Sequence, residues 1–134
     1  VSLRHPATEA WEKRLRDVFH DIDRRLEARY GSRLARDPRR PAAGVTSSHE
    51  ADGIFNVGAA YSPGFGSRHG AGYVVEIGIR SVRPPPPALR EEIERAVVRQ
   101  LRLALPRAFP GRRLEVIRDG SVWKIVGDLS LGRA

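Results

Sequence analysis

The chain has 134 residues, 24 Lys+Arg against 16 Asp+Glu for a net charge of +8, and neither Cys nor Met. Forty per cent hydrophobic and thirty per cent charged residues describe a globular chain with a core of its own, and the length predicts one domain. The lack of cysteine excludes disulfides, thiol nucleophiles, iron–sulfur ligation and Cys-type zinc sites.

No run approaches the ~18 apolar residues that a membrane helix needs, so membrane insertion is not expected. Val1 to Ala10 holds no apolar h-region, which predicts no signal peptide and a cytoplasmic protein. Only Lys13 and Lys124 are lysines, so 22 of the 24 cations are arginine. A balance of this sign attracts polyanions. A GC-rich coding sequence produces the same arginine bias with no partner in view.

From Glu9 to Tyr30, Trp11, Leu15, Val18, Phe19, Ile22 and Leu26 trace one helical stripe. Thr8 is the expected N-cap and Gly31 the stop. Residues 31–52 have no period; Arg33, Arg36, Arg39 and Arg40 stand against Asp37, followed by Pro41, Gly44, Thr46, Ser47 and Ser48. This reads as a long basic arm, functional or wrapped on the surface.

Ile54 to Tyr61 alternates, with Phe55, Val57, Ala59 and Tyr61 opposite Ile54, Asn56, Gly58 and Ala60. Tyr73 to Val82 alternates again, with Tyr73, Val75, Ile77 and Ile79 on one face. Two strands of a hairpin follow, joined by a glycine-rich loop, Ser62 to Gly72. Pro84 to Pro87 opens a second helix whose stripe is Leu89, Ile93, Val97, Leu101 and Leu105, and Pro106 and Pro110-Gly111 are expected to end it. Arg113 to Gly127 reads as a hairpin turning at Asp119-Gly120, which pairs Val116 with Trp123 and Glu115 with Lys124. Leu129 and Leu131 are expected to pack behind it.

The order α-β-β-α-β-β predicts an α+β two-layer sandwich, a four-stranded antiparallel sheet with both helices on one face. The other sheet face would show Ile54, Val74, Ile117, Val122 and Val126 among Gly58, Ala60 and Gly78. An apolar, flat face asks for a cover. The arm or a second copy of the chain would supply it.

This order is similar to that of the cytoplasmic domains of cation-efflux transporters and of bacterial-type KH domains. Gly72 to Arg118, with G-Y-V-V-E-I-G-I and F-P-G-R-R-L-E-V-I, looks most like the former, without its transmembrane half or metal motifs. The G-x-x-G between two helices of the KH domain is absent here. The whole chain resembles an uncharacterised family of short bacterial proteins, through H-D-I-D at His20 to Asp23, G-F-G-S at Gly64 to Ser67 and K-I-V-G-D-L-S-L at Lys124 to Leu131. That resemblance implies no activity.

Three constellations could act on a partner. Gly64 to Gly70, G-F-G-S-R-H-G, can turn backbone N–H groups toward an anion, with Ser67, Arg68 and His69 as further donors and Gly64 and Gly66 giving the turn. It runs into a strand, so it is neither a Walker loop nor a nucleophile elbow, and a plain hairpin connector fits as well. Arg95, Arg99 and Arg102 share the polar face of the second helix, and Arg112 and Arg113 follow, a candidate polyanion patch working on phosphates alone. Phe55, Tyr73 and Trp123 all point to the core, so no stacking platform is expected.

His49-Glu50-Ala51-Asp52 has the ligand types but not the spacing of a metal site, and no metal or cofactor is expected. His20, between Asp17 and Arg24, reads as part of an exposed helix face. The leading expectation is a non-enzymatic module that self-associates through its outer sheet face. The alternatives are an accessory protein on nucleic acid or ribosome, and a small enzyme acting on a phosphate-bearing substrate at the glycine-rich loop.

Overall fold

A computed structural model describes residues 6–46, 52–64 and 70–129. The elements are α1 (Pro6–Tyr30), a 3-10 turn (Gly31–Arg33), β1 (Phe55–Ser62), β2 (Gly72–Ile79), α2 (Pro87–Ala108), β3 (Leu114–Asp119) and β4 (Val122–Gly127). The strands form one antiparallel sheet in the order β1-β2-β4-β3, and the architecture is the α+β arrangement of the sequence pattern.

Both helical stripes form the core. Trp11, Leu15, Val18, Phe19, Ile22 and Leu26 of α1 meet Leu89, Ile93, Val97, Leu101 and Leu105 of α2, and all are buried. Beneath them lie Phe55, Val57, Tyr73, Val116 and Ile125 from one face of the sheet. Leu129 packs against this core as expected, whereas Leu131 lies outside the described residues.

Several boundaries differ from the sequence pattern. α1 begins at Pro6, so Thr8 sits in its first turn rather than capping it; proline needs no N–H partner there. α2 runs through Pro106 to Ala108. The lost N–H falls in the last turn, and the Phe109 N–H donates to the Leu105 carbonyl at 2.9 Å. Ile54, expected on the outer face, is 3% exposed in the core cluster. It precedes β1, where strand alternation does not yet govern its side chain.

α1 also seals an edge of the sheet. β1 is an edge strand, and alternate N–H groups, those of Phe55 and Val57 in its first half, point away from β2. The Asp23 carboxylate accepts the Val57 N–H at 2.8 Å. One turn on, Glu27 accepts from the Ile54 and Phe55 N–H groups. Asp23 is 2% exposed, so a buried carboxylate completes a backbone ladder that has no fifth strand.

The second hairpin turns one residue later than expected. Asp119 pairs with Val122, Ile117 with Lys124 and Val116 with Ile125, so the turn is Gly120-Ser121, with Gly120 at φ 66°. Glycine first is the type II′ arrangement. A turn at Asp119-Gly120 would need positive φ at Asp119 as well. The face assignments survive because both strands move together, but the partners change. Asp119 stays in the strand and its carboxylate meets Lys124 Nζ at 2.7 Å on the outer face. Lys124 also donates to the Gly70 carbonyl at 2.9 Å. Its side chain is 3% exposed and that of Asp119 13%, so the mouth of the glycine-rich loop folds over this pair.

Two stability outcomes follow from these buried polar contacts. Asp23→Ala leaves a buried N–H without its acceptor and should cost about 1–3 kcal/mol, read as a lower urea midpoint at unchanged slope; an unshifted midpoint would remove Asp23 from the edge seal. Lys124→Met strands Asp119 and should cost about 3–5 kcal/mol, whereas Lys124→Met with Asp119→Asn should recover most of it. Equal losses in the single and double variants would show that the pair is not the unit.

Candidate polyanion interface

The arm is tied down rather than loose. Leu34 packs against the core, Arg36 forms an antiparallel bridge with Ser81, and the Val82 N–H donates to the Ala35 carbonyl at 2.7 Å. Further along, Arg40 donates to the carbonyls of Gly53 at 3.0 Å and Asp52 at 3.1 Å. The Asp52 carboxylate accepts from the Thr46 N–H at 2.9 Å and from its hydroxyl. All these contacts lie where β1 begins and β2 ends. Residues 31–46 therefore cover the end of the sheet, not its outer face.

The charge distribution follows this docking. α1 carries six cations and six anions. Residues 31–46 hold Arg33, Arg36, Arg39 and Arg40 against Asp37, a net +3, and residues 80–86 add Arg80 and Arg83 with no acid, a net +2. The Arg36–Ser81 bridge joins these two segments, so their summed +5 lies together at one pole, with Asp52 and Glu92 against it.

Some of these charges are internally balanced. Arg39 forks onto Asp37 at 3.0 and 3.2 Å, and its guanidinium and amide hold that carboxyl below the usual range. Arg33 pairs with Glu92 of α2 at 3.3 Å. Glu92 is held below the usual carboxylate range, first by the Tyr30 hydroxyl and then by Arg33, while burial, followed by Glu92, pushes the Tyr30 phenol up. Arg36, Arg80 and Arg83 make no ion pair among the described residues. Arg90 extends the surface into the first turn of α2, where Pro86 at the cap position supplies no side-chain cap and the helix dipole is positive.

In the patch expected on α2 and after it, Arg95, Arg99, Arg102 and Arg113 are exposed and Arg112 is half-buried, and two of the five also reach back to the protein. Arg102 donates to the Val116 carbonyl at 2.8 Å and lies 5.6 Å from the Trp123 ring. Arg118 lies 5.6 Å from the same ring, and the Trp123 indole N–H donates to Glu94 at 2.7 Å. Arg112 lies 5.1 Å from the Trp11 ring and donates to the Asp128 carbonyl at 3.2 Å. Arg102 and Arg112 are thus part of the packing. Arg95, Arg99 and Arg113 are exposed, with Arg95 4.0 Å from Glu91. Amphipathic periodicity puts arginines on a polar face but cannot tell which of them reach back to a carbonyl or a ring.

The remaining candidates divide as follows. Ser67, Arg68, His69 and Gly66 lie outside the described residues, as do His49 and Glu50. Gly64 stands at the loop mouth with φ 79°, where a Cβ would run into the Gly70 carbonyl. Val74 and Ile117 are half-buried on the outer face and Val122 is 37% exposed. Among the described residues no three His, Asp or Glu side chains converge as metal ligands, and no helix is long and apolar enough to cross a membrane. Phe55 and Tyr73 are buried and Trp123 is half-buried between two arginines, whereas Tyr61, near the end of β1, is 58% exposed. Sequence reasoning missed the pole. Its only sign was the acid-free run Arg80 to Pro86 paired with an acid-poor arm, and nothing in the sequence says the two are adjacent.

A family described as "Uncharacterised protein" matches residues 6–127. A protein of Borreliella burgdorferi, printed as "Uncharacterized protein", is 32% identical over 113 residues, covering 82% of this chain and 88% of that one. No solved structure matches. The match takes in both helices and all four strands, and by it the chain belongs to this uncharacterised family.

Proposed function

We propose that the protein is a non-enzymatic interaction module that holds nucleic acid by its backbone phosphates at the arginine pole. The concentration of +5 in two bridged segments, beside an α1 that is charge-neutral, is the observation that carries this reading. Arg36, Arg80, Arg83 and Arg90 are the contact residues, and the anchored arm presents them from fixed backbone. With Phe55, Tyr73 and Trp123 covered and the exposed Tyr61 at the end of β1 away from the arm, binding at the pole rests on counterion release and is blind to sequence.

A second reading, self-association through the outer sheet face, is favoured by the position of the arm. The contacts of residues 31–46 lie at the end of the sheet, so among the described residues Val74, Ile117, Val122 and Val126 are covered by no element except at the loop mouth. The two readings use different surfaces and are compatible.

The first is tested by fluorescence anisotropy with single- and double-stranded oligonucleotides across a salt series. Arg36→Gln/Arg80→Gln/Arg83→Gln should weaken binding evenly across sequences and flatten the slope of log K against log salt by about three. Arg95→Gln/Arg99→Gln/Arg113→Gln should change little. A sharp sequence preference, salt-insensitive binding, or a loss confined to the α2 variant would overturn the pole. The second is tested by sedimentation: Val74→Glu or Ile117→Lys should dissociate a dimer by desolvating an unpaired charge. A wild-type monomer at tens of micromolar would end that reading.

A further inference from the structure

The seal between α1 and β1 stops halfway. Outward N–H groups recur every second residue along an edge strand, so after Val57, whose N–H Asp23 accepts, the next is that of Ala59. No hydrogen bond is made to it among the described residues. Asp23 and Glu27 supply carboxylates to the lower half of the edge. One and two turns earlier the same flank of α1 presents His20 and Arg16. The helix thus changes from acceptors to a cation where the strand still offers a donor.

A cleft of about 270 Å³ lies at this place, with Arg16 and Ala59 on its walls and Leu15, Phe19 and Tyr73 among its lining. Arg16 makes no ion pair or hydrogen bond with any described residue, and Glu12, four residues before it and also in the cleft, does not pair with it. From this geometry we infer that the cleft binds an organic carboxylate with a short apolar body. The ligand carboxylate takes the Ala59 N–H as Asp23 takes that of Val57, and Arg16 supplies the counter-charge. Charge-assisted hydrogen bonds of this kind fix orientation. The hydrocarbon body covers Leu15, Phe19 and Tyr73. The volume falls just below the ~300–1,000 Å³ of sites for drug-sized ligands, so the ligand is small.

The test uses the full chain, labelled with ¹⁵N and titrated with hexanoate, acetate, hexanamide and inorganic phosphate. Hexanoate should move the Ala59 amide and the Arg16 Nε–H together and saturably. Acetate should bind more weakly, and hexanamide should leave both signals in place. Arg16→Gln, an exposed helix position, should lower hexanoate affinity tenfold or more without altering the rest of the spectrum, and Arg16→Lys should restore part of it. The site is overturned if the Ala59 amide does not respond to hexanoate, if Arg16→Gln binds as wild type does, or if phosphate binds more tightly than hexanoate at the same amides. Arg16 is remote in sequence from the arginine pole, so Arg16→Gln should leave nucleic-acid binding as it was.

Discussion

The structure depends on a helix acting as the missing neighbour of a strand. Asp23 and Glu27 accept the N–H groups at the start of β1, and hydrogen bonds to charged groups of this kind contribute about 1.5–3 kcal/mol each. They set the longitudinal position of α1 on the sheet, which packing of an apolar stripe alone leaves free to slide. Once α1 is placed, the chain after Tyr30 must leave at the start of β1, and Leu34 and Arg36 fall against the core and Ser81. The arm, the pole and the half-open edge are all consequences of that one register.

Arginine performs three distinct tasks here, which a net charge cannot separate. Arg14, Arg102, Arg112 and Arg118 lie near aromatic rings and all four donate to backbone carbonyls. A flat, weakly hydrated guanidinium suits that position better than an ammonium. Arg24 and Arg25 share Asp21 on the solvent side of α1, an exposed arrangement of small energetic weight. The third group, Arg36, Arg80 and Arg83 at the pole, makes no ion pair among the described residues.

The helices and the faces of the strands were legible from periodicity, because a buried stripe and a pleat both repeat locally. The site was much less so. Ile54 reads as the first residue of an alternating strand, yet it lies one residue outside the ladder and turns inward. The Asp119-Gly120 pair reads as a turn, yet the tertiary contact of Asp119 with a buried Lys124 favours the neighbouring turn. Arg102 reads as surface on a helical wheel and is in fact bonded to β3. Ile54 and Arg102 meet partners distant in sequence, about which local pattern carries no information, and Lys124, five residues from Asp119, is also held by the distant Gly70 carbonyl. Asp23 shows the same limit in reverse: nothing in the H-D-I-D run marks it as the residue that would be buried.

Pro84 to Pro87, of which the last opens α2, bear on the thermodynamics of any ligand at the pole. Pro86 sits at φ −55° and ψ 148°, the polyproline II region, where each residue advances about 3.1 Å without internal hydrogen bonds. Pro84 to Pro87 is therefore a stiff strut rather than a tether, and it holds Arg83 and Arg90 at a set spacing from its two ends. A flexible basic tail loses chain entropy when it closes on a polyanion. Here that loss has already been taken in folding, so the pole acts as a template of fixed spacing, selective for the separation of charges on its partner rather than for their number.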